Sequence, residues 1–393
     1  MQIALLRPRV EGPGGAEATG RHLARGLAAA GHGVTVYGAA AEFENAAALG
    51  PQVRYVRVPV WGGKTGRLLT YALNSRRLLR KTRPDVVLSL ERTLFQHVYR
   101  AGDGCHREWL TRRAPFLTPG KRLLQDISPF HRVMLWLEKR VFASPELKRV
   151  IANSRQVKEE ISRHFPVDPA MIKIVYNGLD HGAFHPVAEA ERRSLRQKFG
   201  VSEEEGIILL VGSGFARKGL TFLLEAVSRL KNEPVQLWVV GKDRLGPYQA
   251  QAQKLGIAAQ VRFWGPQTEV VPFYQAASIL ALPTLYDPCS NVVLEALGCG
   301  CPVITTAANG ASEFIRPGEN GAIMARPDAI SEWAEALRHW LARSRDPRVS
   351  QAARDAVAHL SWDATASRTL KVLEEAAAQI RLDQHMEQYQ AHP

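Results

Sequence analysis

Asp287 and Glu295 are two carboxylates eight positions apart in the stretch YDPCSNVVLEALGCGCPVITTAANGASEF, which runs from Tyr286 to Phe314. An apolar run of strand length, Ser278 to Leu285, comes before them and carries Pro283 near its end, with Pro288 just beyond. Next, Ser290 or Asn291 can cap a helix whose apolar positions include Val292, Val293, Leu294 and Leu297. The unpaired N–H groups in the first turn of such a helix suit an anion, above all a phosphate. Neither acid belongs on that phosphate, because like charges repel. Both are better used accepting hydrogen bonds from neutral hydroxyls on either side of it. A nucleotide sugar, with ribose at one end and hexose at the other, has that chemistry. The same residues also fit a buried strand, a capped helix and two solvated acids, so the rest of the chain must decide.

Four further constellations bear on that choice. Gly212 to Gly219, GSGFARKG, follows an apolar strand and delivers Arg217 and Lys218 on a flexible backbone. Arg217 can fork across two phosphate oxygens and Lys218 can add a point charge, so the pair can neutralise a diphosphate. No Asp-x-Asp pair occurs anywhere, so no metal clamp and no cofactor are expected. Gly12-Pro13-Gly14-Gly15 follows the first strand and opens a helix containing Glu17; with Glu17 at the third glycine position, it departs from the dinucleotide pattern. Asp103 stands between Gly102 and Gly104, just past the expected fourth strand and close to His106, where an acid can orient an acceptor hydroxyl. Trp61 to Thr65, WGGKT, fails as a phosphate-binding P-loop because Val58 occupies the required glycine position.

The elements needed to hold these residues are legible as alternation. Expected strands are Ile3–Leu6, Val34–Tyr37, Val53–Val58, Val86–Ser89, Val150–Ala152 and Ile172–Val175, then Ile207–Val211, Gln236–Val240, Val261–Phe263, Ile279–Leu282 and Pro302–Thr305. Helical patterns such as Ala16–Ala30, Gln156–His164, Leu220–Leu230 and Val292–Leu297 intervene. Such alternation predicts an α/β chain of two Rossmann-like, doubly wound domains facing each other across a cleft. We expect the first domain over 1–180, a linker over 181–205 and the second domain over 206–363. A helix should return to the first domain within 364–393, with a loosely ordered tail beyond Arg381.

The chain has 393 residues, 46% of them hydrophobic, with no run long enough to span a bilayer. MQIALLRPRV is too short in its apolar part for a secretion signal, and a cytosolic protein with reduced Cys105, Cys289, Cys299 and Cys301 is expected. Of the net charge of +13, residues 1–200 carry +16 and the remainder −3; residues 51–150 alone carry +14. A basic first half suits anionic lipid, nucleic acid or a phosphorylated substrate. Between His106 and Phe142 this charge is interleaved with Trp109, Phe116, Leu123, Leu124, Phe130 and Trp136. That stretch fits an anionic membrane surface or, equally, a core helix with a charged face. No recognised nucleic-acid module accompanies it, and no nucleic-acid partner is expected.

Together these residues resemble family 4 of the retaining glycosyltransferases, which have the two-domain GT-B fold. The resemblance runs through Gly14-Gly15-Ala16-Glu17, Ala152-Asn153-Ser154, Val175-Tyr176-Asn177-Gly178, Gly212 to Gly219 and the acid pair. Where the family usually has Glu, seven residues, Glu, this chain has Asp287 first, with a shorter reach. The resemblance implies that Glu295 binds ribose, that Arg217 and Lys218 bind the diphosphate, and that the backbone of Asn291 and Val292 meets phosphate or sugar. Gly14, Gly15 and Gly212 would line the donor site, and Glu17, Asp103 and His106 the acceptor site. Within the family the chain is most similar to lipopolysaccharide-core α-1,3-glucosyltransferases, on the loop with Asp103 and Cys105, the GFARKG run and the basic insertion.

The implied activity is transfer of glucose from UDP-glucose to a glycolipid sugar, a heptose of that core, by a peripheral enzyme on the cytoplasmic face of the inner membrane. Another family 4 hexosyl- or N-acetylhexosaminyltransferase, a nucleotide-sugar epimerase of the same fold, and a non-catalytic lipid- or nucleic-acid-binding protein are the alternatives.

Overall fold

A computed structural model describes residues 1–10, 12, 14–40, 49–50 and 52–391. The chain divides into two compact units, Met1–Gly178 with Trp362–Pro393, and Leu179–Ser361. Each is built on one parallel sheet. In the first unit the strands are β1 (Gln2–Leu6), β2 (Gly33–Gly38), β3 (Val53–Arg57), β4 (Val86–Ser89), β5 (Val98–Ala101), β6 (Arg149–Ala152) and β7 (Ile172–Ile174), in the order β3-β2-β1-β4-β5-β6-β7. The second unit holds β8 (Gly206–Val211), β9 (Val235–Val240), β10 (Val261–Gly265), β11 (Ile279–Leu282), β12 (Val303–Thr306) and β13 (Gly321–Met324), in the order β10-β9-β8-β11-β12-β13. β9 is buried along its whole length and β8 along all but Gly206, as strands covered by helices on both faces must be.

Both sheets reverse their winding beside the first strand, between β1 and β4 and between β8 and β11. At such a reversal the two connections leave in opposite directions and open a crevice beyond the carboxyl ends of the strands. Arg7 lies just past β1 and Glu91 just past β4; Gly212 lies just past β8 and Asp287 beyond β11. The topology alone therefore collects these residues at two crevice mouths, one per unit.

Four expectations are corrected. β5 is a strand that the expected series omits, so the loop with Asp103 follows the fifth strand; His97 and Arg100 gave this segment a polar look although β5 is buried throughout. β13 is likewise additional, a short strand opened by Gly321, where a side chain would collide with the Val303 carbonyl oxygen. The 181–205 stretch is not a free linker. It contains a helix, Glu189–Lys198, whose buried Arg196 donates to the carbonyls of Ala276 and Ser202 at 3.0 and 3.2 Å.

Finally, the helix Trp362–Ala391 continues through the expected loose tail, because no glycine or proline interrupts it. Lys148 pairs with Asp383 at 2.7 Å along that extension. Val372, Leu373, Ala376 and Ala377 of this helix share a core with Leu23, Ala24 and Leu27 of the helix Gly15–Ala29. The approach is close enough that a Cβ on Gly26 would stand 2.4 Å from the Cβ of Ala366.

Candidate active site

The second unit's crevice is built from three loops. After β8 the backbone turns at Gly212 and Gly214, both at positive φ, into the short helix Phe215–Lys218. A Cβ on Gly212 would come within 3.0 Å of the Lys218 side chain. The Phe215 N–H donates to Asp243 at 2.7 Å and the Leu285 N–H donates to the Arg217 carbonyl at 2.9 Å, which ties this turn to the loop after β9 and to the loop after β11. Thr284 Oγ1 donates to the same Arg217 carbonyl at 3.0 Å. Asp287 is held by its own backbone, N–H to Ala308 and carbonyl to the Gly310 N–H.

Arg217 and Lys218 converge on Asp287. Arg217 Nη1 and Lys218 Nζ each donate to Asp287 Oδ2 at 2.8 Å, and Lys218 Nζ donates to Ser290 Oγ at 3.0 Å. Burial alone would raise the Asp287 carboxyl, but Lys218 and then Arg217 outweigh it and hold it down to about 2. Asp287 is thus ionised at neutral pH. Among the described residues its Oδ1 accepts nothing, and Arg217 uses only Nη1, which also donates to the Tyr286 carbonyl at 3.2 Å. One carboxylate balances two cations, and donors of Arg217 stay open toward an anion.

Glu295 lies one turn inside the helix Asn291–Gly298, half-buried, and Tyr274 donates its phenol to Glu295 Oε2 at 2.7 Å. Burial raises the Glu295 carboxyl, with the Tyr274 bond and Lys218 opposing. The other oxygen, Oε1, accepts nothing among the described residues and can take a ligand hydroxyl. Asn291 and Val292 occupy the first turn of this helix and are partly exposed. Ser290 is the N-cap residue, yet it makes no side-chain cap; its hydroxyl serves Lys218 instead.

In the first unit Arg7 is the centre. Buried beyond β1, it donates to the Leu90 carbonyl at 3.1 Å and faces Asp103 at 3.6 Å and Glu17 at 4.0 Å. Burial works against its charge, but Asp103, Glu91 and Glu17 together outweigh burial and keep it a cation. Glu91 is pushed up by burial and by Asp103. Glu17 folds back over the start of its own helix: a Cβ on Gly14 would stand 2.1 Å from its carboxylate. The space beside Gly14 is accordingly occupied by a carboxylate of this chain, which would have to move for a phosphate to sit there.

The loop bearing Asp103 is anchored on both sides. Asn153 donates to the Gly102 carbonyl at 3.0 Å and Arg92 to the Gly104 carbonyl at 2.7 Å. Arg92 is itself paired with Glu138 at 3.0 Å, and the same Glu138 accepts the His106 N–H at 2.7 Å. Asp103 remains about half-exposed at the tip. His106 is not presented to a ligand: it is 8% exposed and its ring bonds His131 at 3.0 Å. Burial and Arg92 push that imidazole down to about 3, which fits a neutral packing residue.

Arg217, Lys218, Asp287, Glu295, Asn291, Val292 and Gly212 therefore share one crevice mouth, while Glu17 and Asp103 share the other. Arg7 and Tyr274 were missed from sequence, and Ser290, read there as a helix cap, holds Lys218 instead. A charged residue directly after an apolar strand was the available signal for Arg7; nothing local marks Tyr274, which comes from a different helix. Among the described residues no cluster of His, Cys, Asp and Glu could hold a metal, and no helix is long and apolar enough to cross a membrane.

Comparison with known proteins gives these two mouths a context. Residues 13–183 match the family model Glycosyltransferase Family 4, and residues 205–343 match Glycosyl transferases group 1. The lipopolysaccharide glucosyltransferase WaaG of Escherichia coli K12 is 27% identical over 84% of this chain and 87% of its own length. A crystal structure of WaaG, described as a glycosyltransferase involved in lipopolysaccharide biosynthesis, superposes with a TM-score of 0.81 at 25% identity, over 94% of this chain and 99% of that one. HepE of Anabaena in complex with UDP-glucose has the same fold, with a TM-score of 0.68 at 19% identity over 97% of this chain and 99% of that one. Two parallel sheets wound in opposite directions from a central strand, each matched to a glycosyltransferase segment, make this chain a glycosyltransferase of the GT-B type.

Proposed function

We propose that the enzyme moves glucose from UDP-glucose to a sugar hydroxyl on a phosphorylated glycolipid of the lipopolysaccharide-core kind, with retention of the α configuration. The observation that carries this reading is the second-unit cluster, in which Arg217 and Lys218 share the single carboxylate Asp287 beside Glu295. WaaG, a lipopolysaccharide glucosyltransferase, supports the choice of substrates, as does the UDP-glucose held by HepE. In this reading Glu295 Oε1 accepts from a ribose hydroxyl and the free Asp287 Oδ1 from a hexose hydroxyl. The first turn of the helix Asn291–Gly298 and the open N–H groups of Arg217 take the diphosphate.

The acceptor oxygen forms a bond to the anomeric carbon as the bond from that carbon to the diphosphate breaks. Attack comes from the face the diphosphate leaves, and the acceptor proton passes to a diphosphate oxygen. Charge grows on the leaving group as an oxocarbenium-like centre forms, so the fixed cations act where the transition state needs them. Asp103 and Glu17 orient the acceptor hydroxyl.

A membrane-docking role for the first unit accompanies this proposal. Leu123 and Leu124, 61% and 64% exposed, stand with Ile127 on the helix Pro119–Ile127 beside exposed Lys121 and Arg122. By contrast the next helix, Pro129–Phe142, buries Leu137, Val141 and Phe142, so each reading of this basic stretch suits a different helix. Exposed leucines flanked by cations suit the cytoplasmic face of an anionic membrane.

The test is radiolabelled UDP-glucose incubated with and without the core glycolipid. Label on the glycolipid supports the proposal. Isomerised nucleotide sugar without acceptor would instead identify an epimerase, and lipid binding without turnover a non-catalytic protein. Turnover unchanged by EDTA is expected, since the two cations suffice for the diphosphate.

A further inference from the structure

The first unit contains a second concavity, distinct from the Arg7 cluster, with a volume of about 480 Å³. That is within the range of roughly 300–1,000 Å³ typical of small-molecule sites. It opens beyond the carboxyl ends of β1, β2 and β3, where open α/β sheets place ligands. Its walls combine Val10, Val60 and Leu68 with the rings of Tyr55 and Tyr71, and Arg9 and Arg67 stand on it. No carboxylate lines it among the described residues.

The walls are fixed before any ligand arrives. Tyr71 donates its phenol to the Tyr37 carbonyl at 2.7 Å, and the Tyr55 phenol accepts from the Ala40 N–H at 3.1 Å. Arg21 donates to the carbonyls of Val10 and Gly12 at 2.7 and 3.0 Å and so pins the loop after β1. Arg9 and Arg67 are exposed and have no ion-pair partner among the described residues. Aromatic surface suits the apolar face of a sugar ring, and two open guanidinium forks suit a phosphate.

We propose that this pocket binds a phosphate-bearing sugar unit of the acceptor, its ring against Tyr55, with buried Tyr71 as backing, and its phosphate on Arg9 and Arg67. The assignment to the acceptor rests on the glycosyl-transfer reading; the binding chemistry does not. Tyr71 lies within electrostatic reach of Arg7 and Glu91, so a sugar held here neighbours the group that faces Asp103 and Glu17.

Calorimetric titration of the full-length protein with glucose 6-phosphate, glucose and inorganic phosphate tests the proposal without donor or turnover. Glucose 6-phosphate should bind saturably and at least tenfold more tightly than glucose or phosphate alone. In the double variant Arg9→Gln, Arg67→Gln its affinity should fall at least tenfold, whereas Arg354→Gln in the second unit should leave it unchanged. A second arm uses a detergent-dispersed glycolipid with and without its sugar phosphate, which separates a lipid-linked source from a free sugar phosphate; preference for the phosphorylated form in either arm supports the pocket. No saturable binding in both arms, or binding indifferent to the double variant, overturns it. UDP-glucose binding to the unaltered protein is measured in parallel by thermal shift. Its absence would remove the proposed UDP-glucose donor while leaving the pocket result intact.

Discussion

The two crevice mouths use charge in opposite proportions. In the second unit two cations, Arg217 and Lys218, meet one carboxylate, Asp287, and the group is largely buried apart from Arg217. In the first unit Arg7 faces two carboxylates, Asp103 and Glu17, while Glu91 nearby is ion-paired to Arg92 at 3.9 Å, and Asp103 reaches solvent. A cluster with spare positive charge attracts a diphosphate; one with spare negative charge attracts hydroxyl hydrogens. In the proposed reading the same fold element, a loop leaving the central strand at the winding reversal, would serve a leaving group in one unit and a nucleophile in the other, according to which sign is in the minority.

That contrast can be broken first at Asp287. Asp287→Asn removes the carboxylate shared by two cations, one of them buried, and breaking such a pair costs about 3–5 kcal/mol. Thermal unfolding should register that loss. An unchanged midpoint would mean that Asp287 serves ligand alone. Next, Lys218→Met should lower turnover by about ten- to a thousandfold, the scale of losing one charge-stabilising group. An unchanged rate in the direct transfer assay would sink its role.

On the acceptor side, Asp103→Asn keeps the shape but removes charge, and kcat/KM for the acceptor should fall about ten- to a hundredfold, the worth of one charge-assisted hydrogen bond. Donor hydrolysis in the absence of acceptor is the control, and equal losses in both would place Asp103 outside acceptor binding.

The smallest effect is on acid stability, and it should separate the units. Burial and Lys148 push His97 of the first unit down to about 4, and its Nδ1 accepts the Val87 N–H at 3.1 Å. Stability that depends on neutral His97 is complete above its ordinary 6.5 and is lost as pH falls toward 4. Asp287 in the second unit keeps its contribution down to its ordinary 3.8 and loses it toward about 2. Glu295, whose carboxyl is raised, favours the folded state at the acid end. Hydrogen exchange between pH 7 and pH 4 should therefore open β4 and β5 before β8 and β11; the reverse order would refute this account.

Much of the donor side was legible because its signals are local. GFARKG puts both cations within one turn after a continuous apolar strand, and the acid pair straddles a loop and helix only a few residues long. The acceptor side was harder. β5 was hidden because a buried strand flanked by His97 and containing Arg100 carries no simple hydrophobic pattern, although Arg100 Nη2 donates to distant Asn177 at 2.7 Å. His106 looked available because it follows Asp103 closely, yet the helix it begins turns its ring inward against His131. Arg7, Tyr274 and Glu138 act on residues 96, 21 and 32 positions away, and spacing along the chain is silent about contacts made only by folding. The motifs containing Asn153 and Asn177 were noticed as a resemblance; their physical work is to brace the loop and strand around Asp103.

The terminal helix gives this chain an order of completion. Trp362–Ala391 supplies part of the core around Leu23, Ala24 and Leu27, so the unit that begins the chain also ends it. As the ribosome delivers the polypeptide, the second unit can close once Ser361 has emerged, but the first must wait for Ala377. Until then an apolar face on the helix Gly15–Ala29 stays uncovered, and the half of the enzyme synthesised first is the half that becomes native last.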